Sequence, residues 1–160
     1  MIFLTVGTQF AFDRLVRAVD DAVGAGLFKQ EIFAQIGESE YRPRNFDFSR
    51  VLAKYDFDNY IDSSSGLIGH AGMGTITAAM DHNKPLLVMP RLKKFGEVVN
   101  DHQVTIAMMF EKMGLLLAAY DAQQVADRLE CLGAFCPVAR QSDCARVAQR
   151  VRAFIAESIA

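Results

Sequence analysis

Short apolar runs alternate along this chain with longer segments in which apolar residues recur every three or four positions. Residues 2–6 and 31–36 are runs rich in β-branched and aromatic side chains, and each ends at a glycine, which is typical of buried strands. Between them, apolar residues spaced from Phe12 to Val23 predict an amphipathic helix that ends at Gly24. A strand–helix–strand opening predicts two parallel strands joined by a right-handed crossover.

The rest of the chain continues this alternation. An apolar run at 85–90 lies between two prolines and predicts a further buried strand. Residues 38–48 mix charges of both signs with Pro43 and predict a loop or an irregular edge. The remaining predicted elements are a short helix at 49–55 capped by Ser49, a helix from Ile76 to Asn83, a mobile loop at 91–99, a helix from its cap Asn100 to Gly114, a strand at 115–118, and helices at 121–133 and 141–159.

Strands that alternate with helices predict an α/β fold: a Rossmann-like parallel sheet with helices on both faces, in a single domain over residues 1–160. In such sheets, ligands bind beyond the carboxyl ends of the strands. The predicted loops at this edge contain most of the polar and glycine-rich sequence, namely Gly7, Thr8, Gln9, Gly37, the segment 70–75 and Arg91.

The segment at 66–75 is the centre of this arrangement, because an apolar run ends there in closely spaced glycines and then enters a helix. Unpaired backbone N–H groups and the positive end of a helix dipole at such a turn favour a phosphate. Gly72 and Gly74 lack a Cβ and allow close approach of a ligand, and Thr75 adds a hydroxyl that can also cap the helix. The alternative is that the glycines serve only the turn.

Composition narrows the function classes. The chain has 51% hydrophobic and 22% charged residues with a net charge of −2, so it has no large basic surface for nucleic acid. No apolar run approaches the roughly 18 residues that span a bilayer, and the first residues lack a basic leader, which predicts a cytoplasmic protein. Three cysteines without a Cys-x-x-Cys pair indicate free thiols rather than disulfides or a zinc site.

A second pattern, Asp56-Phe57-Asp58, is superficially similar to the Asp-x-Asp metal clamp of one class of glycosyltransferases. No predicted strand leads into it. Two aspartates in a loop or at a helix cap are therefore the favoured interpretation, and no metal site is predicted.

Several segments together resemble one known family. They are TVGTQ at 5–9, FDRLV at 12–16, GHAGMGT at 69–75, KPLLVMPR at 84–91 and NDHQ at 100–103. In this order and spacing they are similar to the family 28 glycosyltransferase C-terminal domain, and within it to the small stand-alone proteins of the Alg13 and PssE type. The resemblance extends from the first residues to about Ala107.

The resemblance implies the C-terminal, donor-binding half of a GT-B glycosyltransferase. Such a subunit binds a nucleotide sugar, usually a UDP sugar, without a metal or other cofactor, and transfers a hexosyl or uronosyl group with inversion to a lipid-linked acceptor in exopolysaccharide or glycan synthesis. It also implies a separate, membrane-anchored acceptor-binding subunit similar to Alg14 or PssD, which would hold this chain at the inner face of the membrane. Without that partner, homo-oligomers are expected to form through an exposed apolar patch in the last two helices or the Met-rich segment.

The resemblance also assigns residues. It implies that Gly7, Thr8 and Gln9 face the donor phosphates, that the loop from His70 and Ala71 through Gly72, Met73, Gly74 and Thr75 binds the diphosphate, that Asn100, Asp101, His102 and Gln103 lie near the donor sugar, and that Gln35 and Gly37 lie near the nucleobase. Ala78 stands where many relatives have a Glu that holds the ribose hydroxyls. Recognition of the ribose and base is accordingly less defined than in those relatives.

Sugar transfer needs stabilisation of the departing diphosphate and a base for the acceptor hydroxyl. Backbone N–H groups at 72–75 suit the first task, and Arg91, Lys93 and Lys94 either assist by binding phosphate or acidic sugar or form a solvated loop. His70 and His102 are weak candidates for the base because histidine titrates near neutrality, but His70 is better suited to positioning the loop or contacting the donor. The base is therefore expected in the partner.

The sequence leaves two other functions open. The first is a non-catalytic nucleotide-binding or assembly subunit of a glycan-synthesis complex, which Ala78 and the missing base allow. The second is a free-standing enzyme of flavodoxin-like fold, which is disfavoured because the chain lacks the G-x-G-x-x-G order of dinucleotide sites. His82, near a predicted helix end, is interpreted as a capping or surface residue.

Overall fold

In the computed structural model, which describes residues 1–138 and 144–159, six parallel strands form one sheet. The strands are β1 Ile2–Thr5, β2 Ile32–Gln35, β3 Asp47–Ser49, β4 Gly66–His70, β5 Leu86–Met89 and β6 Leu117–Ala118. Their order across the sheet is β3-β2-β1-β4-β5-β6. The chain thus places β1 at the centre, with Ile2 in register with Ile32 on one side and Gly66 on the other.

Helices cover both faces of the sheet. Those in the described residues are α1 Asp13–Gly24, α2 Lys54–Ser63, α3 Met73–Asp81, α4 His102–Lys112, α5 Ala122–Leu132 and α6 Cys144–Ile159. Leu4 of β1 is fully buried in a cluster with residues of α1 and α5, whereas its neighbour Phe3 is fully buried in a second cluster with residues of α2, α3 and α4. Alternate residues of the strands thus feed two separate cores, and each fully buried side chain contributes about 1.5–3 kcal/mol.

The strand order reverses at β1, since the chain builds outward to β2 and β3 and then crosses to β4 on the other side. In an open parallel sheet, a crevice forms beyond the carboxyl ends of the strands at this reversal. The loops that follow β1 and β4 therefore lie on either side of the crevice, and the loop after β5 is next to them. The predicted fold class, a Rossmann-like parallel sheet with helices on both faces, is confirmed.

Three local predictions are wrong. Ser49 is the last residue of strand β3 rather than a helix cap; this strand ends the stretch predicted as a loop or irregular edge, and it lies at the edge of the sheet. The helix that follows begins only at Lys54. Asp101, not Asn100, is at the N-cap position of α4. The predicted helix at 141–159 is observed from Cys144, and its first three residues lie outside the described residues.

The Asp-x-Asp pattern lies inside α2 rather than in a loop or at a cap. Asp58 forms an ion pair with Lys54 one helical turn earlier, which is an ordinary solvent-exposed i,i+4 contact. Within residues 1–138 and 144–159, no group of three or more His, Cys, Asp or Glu side chains is arranged to hold a metal ion. Cys131 and Cys136 are free and exposed thiols.

None of the helices in residues 1–138 and 144–159 combines the length and the apolar character needed to cross a membrane.

Candidate functional site

Two clefts open at the carboxyl edge of the sheet, and they meet at Gly7, Thr8, His70 and Gly74. The main cleft, of about 560 Å³, lies among the loops after β1, β4 and β5 and is lined by Val6, Gly7, Thr8, Gln9, Phe10, His70, Gly72, Met73, Gly74, Arg91, Val98, Val99, His102 and Gln103. The side cleft, of about 470 Å³, is lined by Thr5, Gly7, Thr8, Gln35, Leu52, Lys54, Phe57, His70, Gly74 and Thr75.

The N-terminus of α3 faces both clefts. Helix α3 begins at Met73 after Gly72, and no side chain caps it, so the hydroxyl of Thr75 does not act as the predicted cap. The N–H groups of the first helical residues have no acceptor within the helix. Together with the helix dipole, they make this end of α3 suited to an anion such as a diphosphate.

Gly74 has no packing reason to be a glycine. A Cβ built on Gly74 would have no neighbouring atom within 4 Å, whereas a Cβ on Gly69 would lie 2.8 Å from Cγ2 of Thr75 and 2.9 Å from the carbonyl oxygen of Thr5. Glycine within a helix costs about 0.5–1 kcal/mol relative to alanine. Because the protein itself does not occupy the space beside Gly74, that space is available to a ligand in either cleft.

Gly7 and Gly37 are explained by the backbone. Gly7 has φ +75° and Gly37 has φ +52°, a region that favours glycine, and a Cβ on Gly37 would lie 2.5 Å from the carbonyl oxygen of Gly7. Gly7 lines both clefts, but Gly37 lines neither. Gly37 is thus placed behind the wall of the site, where it allows the loop containing Gly7 to pack closely.

His70 is a partly buried, neutral side chain at the junction of the two clefts. Its Nδ1 lies 3.5 Å from Oγ1 of Thr75, and a Cβ on Gly7 would lie 3.2 Å from its Cε1. Burial, and secondarily the positive charge of Arg91, lower the pKa of His70 to about 4. The expectation that His70 titrates near neutrality is therefore wrong, and at pH 7 the ring presents one N–H donor and one acceptor.

Arg91 is a buried cation in the wall of the main cleft, with only 3% of its surface exposed. Its Nη2 donates hydrogen bonds to the carbonyl oxygens of Val6 (2.6 Å) and Phe10 (2.7 Å). Its buried Nε has no hydrogen-bond partner, and none is found for Nη1 among the described residues. Burial lowers the pKa of Arg91, and the negative charge of Glu97 opposes that effect.

Some residues of the segment 100–103 bind the backbone of neighbouring residues, and two of them line the main cleft. Asp101 accepts a hydrogen bond from the backbone N–H of Lys93 (2.7 Å), and Oε1 of the buried Gln103 accepts one from the backbone N–H of Arg91 (3.1 Å). Asn100 accepts a hydrogen bond from the backbone N–H of His102 (3.2 Å) and also contacts its ring. His102 is exposed and lines the main cleft beside Gln103, while Asn100 and Asp101 line neither cleft.

Four other residues that the sequence analysis considered lie away from the clefts. Ala71 is fully buried and packs in the core shared by α2, α3 and α4. Lys93 and Lys94 are exposed and line neither cleft, and Nζ of Lys94 lies 4.9 Å from the centre of the Phe95 ring. The two lysines match the solvated-loop alternative. His82 follows α3 and pairs with Asp62, at 2.6 Å, on the surface.

Sequence reasoning missed the outer wall of the side cleft. Leu52, Lys54 and Phe57 form it, from the start of α2 and the segment before it. The hydroxyl of Thr5 donates to Oε1 of Gln35 (3.1 Å) on the sheet side, and the amide nitrogen of Gln35 has no hydrogen-bond partner among the described residues. The position of this wall depends on strand β3, whose three residues are too few for the sequence pattern to reveal.

Acidic side chains are absent from the lining of both clefts. Among the described residues that line them, none is an Asp or a Glu. His102 is the exposed titratable group on the wall of the main cleft, and Lys54 lines the side cleft. An anionic ligand would thus meet no opposing carboxylate in this lining.

Comparison with known proteins identifies the family and the fold. The sequence profile of the glycosyltransferase family 28 C-terminal domain matches residues 1–146. ALG13, solved by NMR, is similar in structure with a TM-score of 0.59 and 17% identity, over 87% of this chain and 90% of ALG13. No curated protein sequence matches significantly.

Larger glycosyltransferases share the fold. The calicheamicin glycosyltransferase CalG4 has a TM-score of 0.59 and 16% identity over 83% of this chain, and MurG of Acinetobacter baumannii has a TM-score of 0.55 and 19% identity over 82%. The chain spans 34% of CalG4 and 39% of MurG. It therefore has the fold of the C-terminal half of GT-B glycosyltransferases.

Proposed function

Because the chain belongs to the glycosyltransferase family 28 C-terminal domain family, we propose that it is the donor-binding subunit of a two-component glycosyltransferase. It binds a nucleotide diphosphate sugar, with UDP as the expected nucleotide. A hexosyl or uronosyl group then passes to a lipid-linked acceptor in exopolysaccharide or glycan synthesis. The acceptor is bound by a second, membrane-anchored polypeptide, which holds this chain at the cytoplasmic face of the membrane.

The observation that supports this proposal most directly is the open space beside Gly74 at the uncapped N-terminus of α3. Free N–H groups and the helix dipole favour the diphosphate there, and the missing Cβ lets it approach the backbone. The buried charge of Arg91 is in the wall of the same cleft. Both the N-terminus of α3 and the guanidinium of Arg91 therefore favour a negatively charged ligand.

The side cleft suits the nucleoside part of the donor. Leu52 and Phe57 give it an apolar wall against which a base can pack, while the amide of Gln35 and the ammonium of Lys54 supply polar contacts. The two clefts join at the N-terminus of α3, so a base in one and a sugar in the other would place the diphosphate between them. His102 and Gln103 then lie on the sugar side.

In the proposed reaction, an acceptor hydroxyl attacks the anomeric carbon of the donor sugar while the bond from that carbon to the diphosphate oxygen breaks. A single displacement inverts the configuration at that carbon. The N–H groups of α3 and Arg91 stabilise the negative charge on the leaving diphosphate, without a metal ion. The proton of the attacking hydroxyl goes to a base, which we assign to the partner subunit because His70 is a weak base and no carboxylate is found in the described lining.

Exposed apolar side chains favour a partner. Val99, at 73% exposure, stands with Phe10 and Met73 around the mouth of the main cleft. A second apolar stripe, Val147, Val151 and Ile155, lies exposed along α6. Grouped exposed apolar residues of this kind are typical of interaction surfaces.

A non-catalytic nucleotide-binding or assembly subunit is the second candidate. Two observations favour this second candidate: no carboxylate is found in the described lining of the clefts, and Ala78 on α3 offers no hydrogen bond to a ribose. The two candidates differ in one outcome: a catalytic subunit transfers radiolabelled sugar when it is co-expressed with its partner, and replacement of both Thr75 and His102 reduces that transfer. Persistent transfer after both replacements supports the assembly role.

Calorimetric titration of the purified chain with UDP, GDP, TDP and a panel of UDP sugars, with and without magnesium, tests donor binding. We expect magnesium-independent binding that is selective for UDP. Gly74→Asp should weaken it by about 100-fold or more through charge repulsion at close range. Gly133→Asp is the matched control, because Gly133 follows α5 and a Cβ there meets only the end of the Gln30 side chain. Equal affinity of the two variants for UDP would contradict the proposal.

A further inference from the structure

Two arginines join the loops on either side of the main cleft, and each binds the backbone of the opposite loop. Arg91, which follows β5, donates to the carbonyl oxygens of Val6 and Phe10 in the loop after β1. Arg14, in the first turn of α1, donates from Nη2 to the carbonyl oxygen of Pro90 (2.8 Å), directly before Arg91. The loop after β1 and the loop after β5 are thereby joined in both directions.

Glu97 extends this connection into the second loop. Its Oε1 accepts a hydrogen bond from Nε of Arg14 (3.0 Å), and its Oε2 accepts one from Nη2 of Arg14 (2.8 Å), which is the bidentate geometry of a strong ion pair. Oε2 also accepts the backbone N–H of Leu92 (2.9 Å). Because only 7% of Glu97 is exposed, the pair is shielded from solvent, and it ties the middle of the loop after β5 to α1.

The rings around the two guanidinium groups limit their movement. Phe12 is fully buried, and the centre of its ring lies 5.4 Å from Cζ of Arg14 and 5.1 Å from Cζ of Arg91. Cζ of Arg14 also lies 5.0 Å from the centre of the Phe95 ring, on the loop after β5. Both arginines are therefore held against aromatic rings as well as by hydrogen bonds.

Neither Arg14 nor Glu97 lines a cleft, yet the residues that follow Glu97 do. Val98 and Val99 form one wall of the main cleft, and residues 6–10 form the facing wall. We propose that Arg14 and Glu97 are positioning residues, which set the distance between these walls so that donor affinity depends on their ion pair. This inference rests on the proposed function, since it names a further determinant of the same site.

The pair can be tested by calorimetry with UDP on Glu97→Gln, Arg14→Lys and the double variant. Glu97→Gln keeps the size of the side chain but removes its charge, and Arg14→Lys keeps the charge but loses the two-pronged contact. Each should weaken UDP binding by about tenfold, since misplacement of a binding group by about 1 Å has effects of this order or larger. The double variant should be little worse than either single one, because both remove the same contact.

The control for general destabilisation is Arg128→Ala, which breaks the Arg128–Glu111 pair on α5 and α4, neither residue of which lines a cleft. It should lower the melting temperature without changing UDP affinity measured well below that temperature. Hydrogen exchange of the free proteins supplies a second readout. Backbone amides at 92–100 and 6–12 should exchange faster in Glu97→Gln than in Arg128→Ala.

Failure of this inference can be separated from failure of the proposed function. If the wild type binds UDP and Glu97→Gln binds it equally well, the positioning role is overturned while donor binding stands. If the wild type binds no nucleotide, the proposed function is overturned. The proposal that donor affinity depends on the Arg14–Glu97 pair is then overturned as well. Unchanged exchange at 92–100 in Glu97→Gln would also overturn the claim that the pair holds the loop.

Discussion

The imidazole of His70 occupies the space that a side chain on Gly72 would need. A Cβ built on Gly72 would lie 2.7 Å from Cδ2 of His70, whereas Cβ atoms in proteins essentially never have a non-bonded neighbour closer than 3.0 Å. Gly72 is therefore a glycine because of the ring beside it, whereas Gly74, two residues later, has no protein neighbour that a Cβ would meet. Gly72, directly before α3, and Gly74, in its first turn, therefore have different structural reasons.

Gly72→Ala should destabilise the protein by about 1–3 kcal/mol, because the added methyl group forces the partly buried ring of His70 to move. Chemical denaturation measures the change. If the collision with the ring is the cause, the same substitution made in a His70→Ala background should cost much less. An equal cost in both backgrounds would show that the ring is not what excludes a side chain at this position.

Gly74→Ala, unlike Gly72→Ala, should weaken UDP binding without lowering the stability of the protein. Alanine in the first turn of α3 should leave the stability unchanged or raise it by up to about 1 kcal/mol, since glycine is the poorer helix residue. The methyl group nevertheless enters the space assigned to the diphosphate, and UDP affinity should fall. Paired denaturation and calorimetry on the same preparation check both effects. An alanine variant that binds UDP as well as the wild type would exclude the assigned position of the diphosphate.

The partly buried His70 should make stability depend on pH. Its pKa is about 4 in the folded protein, whereas a histidine in the unfolded chain has its ordinary pKa of 6.5, so between these pH values the unfolded chain binds the proton that the folded protein does not. Stability from this group is thus fully present above pH 6.5 and is lost as the pH falls towards 4, by about 3 kcal/mol in all.

Urea denaturation of wild type and His70→Asn at several pH values between 4 and 7 isolates this contribution. Because the two proteins share every other titrating group, the difference between their free energies of unfolding should rise with pH across this range. A flat difference would mean that the folded protein protonates His70 as easily as the unfolded chain does.

The apolar stripe of α6 should cause self-association when no partner is present. Val147, Val151 and Ile155 recur at intervals of four residues on this helix, and each is exposed. Sedimentation velocity should show oligomers whose fraction rises with concentration and falls in Val151→Asp. Val51→Asp is the matched control, since Val51 is exposed to a similar degree but precedes α2. If both substitutions act equally, added charge rather than the stripe is responsible.

Much of the fold follows from local patterns. The apolar run at 2–6, the periodic residues from Phe12 to Val23 and the glycines at 66–75 determine a buried strand, an amphipathic helix and a turn from a strand into a helix, because each pattern depends only on neighbours in sequence. Strand β3 was missed since three residues give no period. Because β3 was not recognised, its last residue Ser49 was assigned to the helix that follows, and α2 was placed too early in the chain. The outer wall of the side cleft, which contains the start of α2, was missed as a result.

The sequence by itself determined that the loops with glycine and polar residues meet at one edge of a parallel sheet, because strands joined by right-handed crossovers all end on the same side. The tertiary structure decided what each residue at that edge does. Burial made His70 a neutral group, packing distinguished Gly72 from Gly74, and contacts between residues more than 80 positions apart committed Arg14 to Glu97 and Arg91 to Val6. Such effects depend on distances between chain segments, which no local pattern contains.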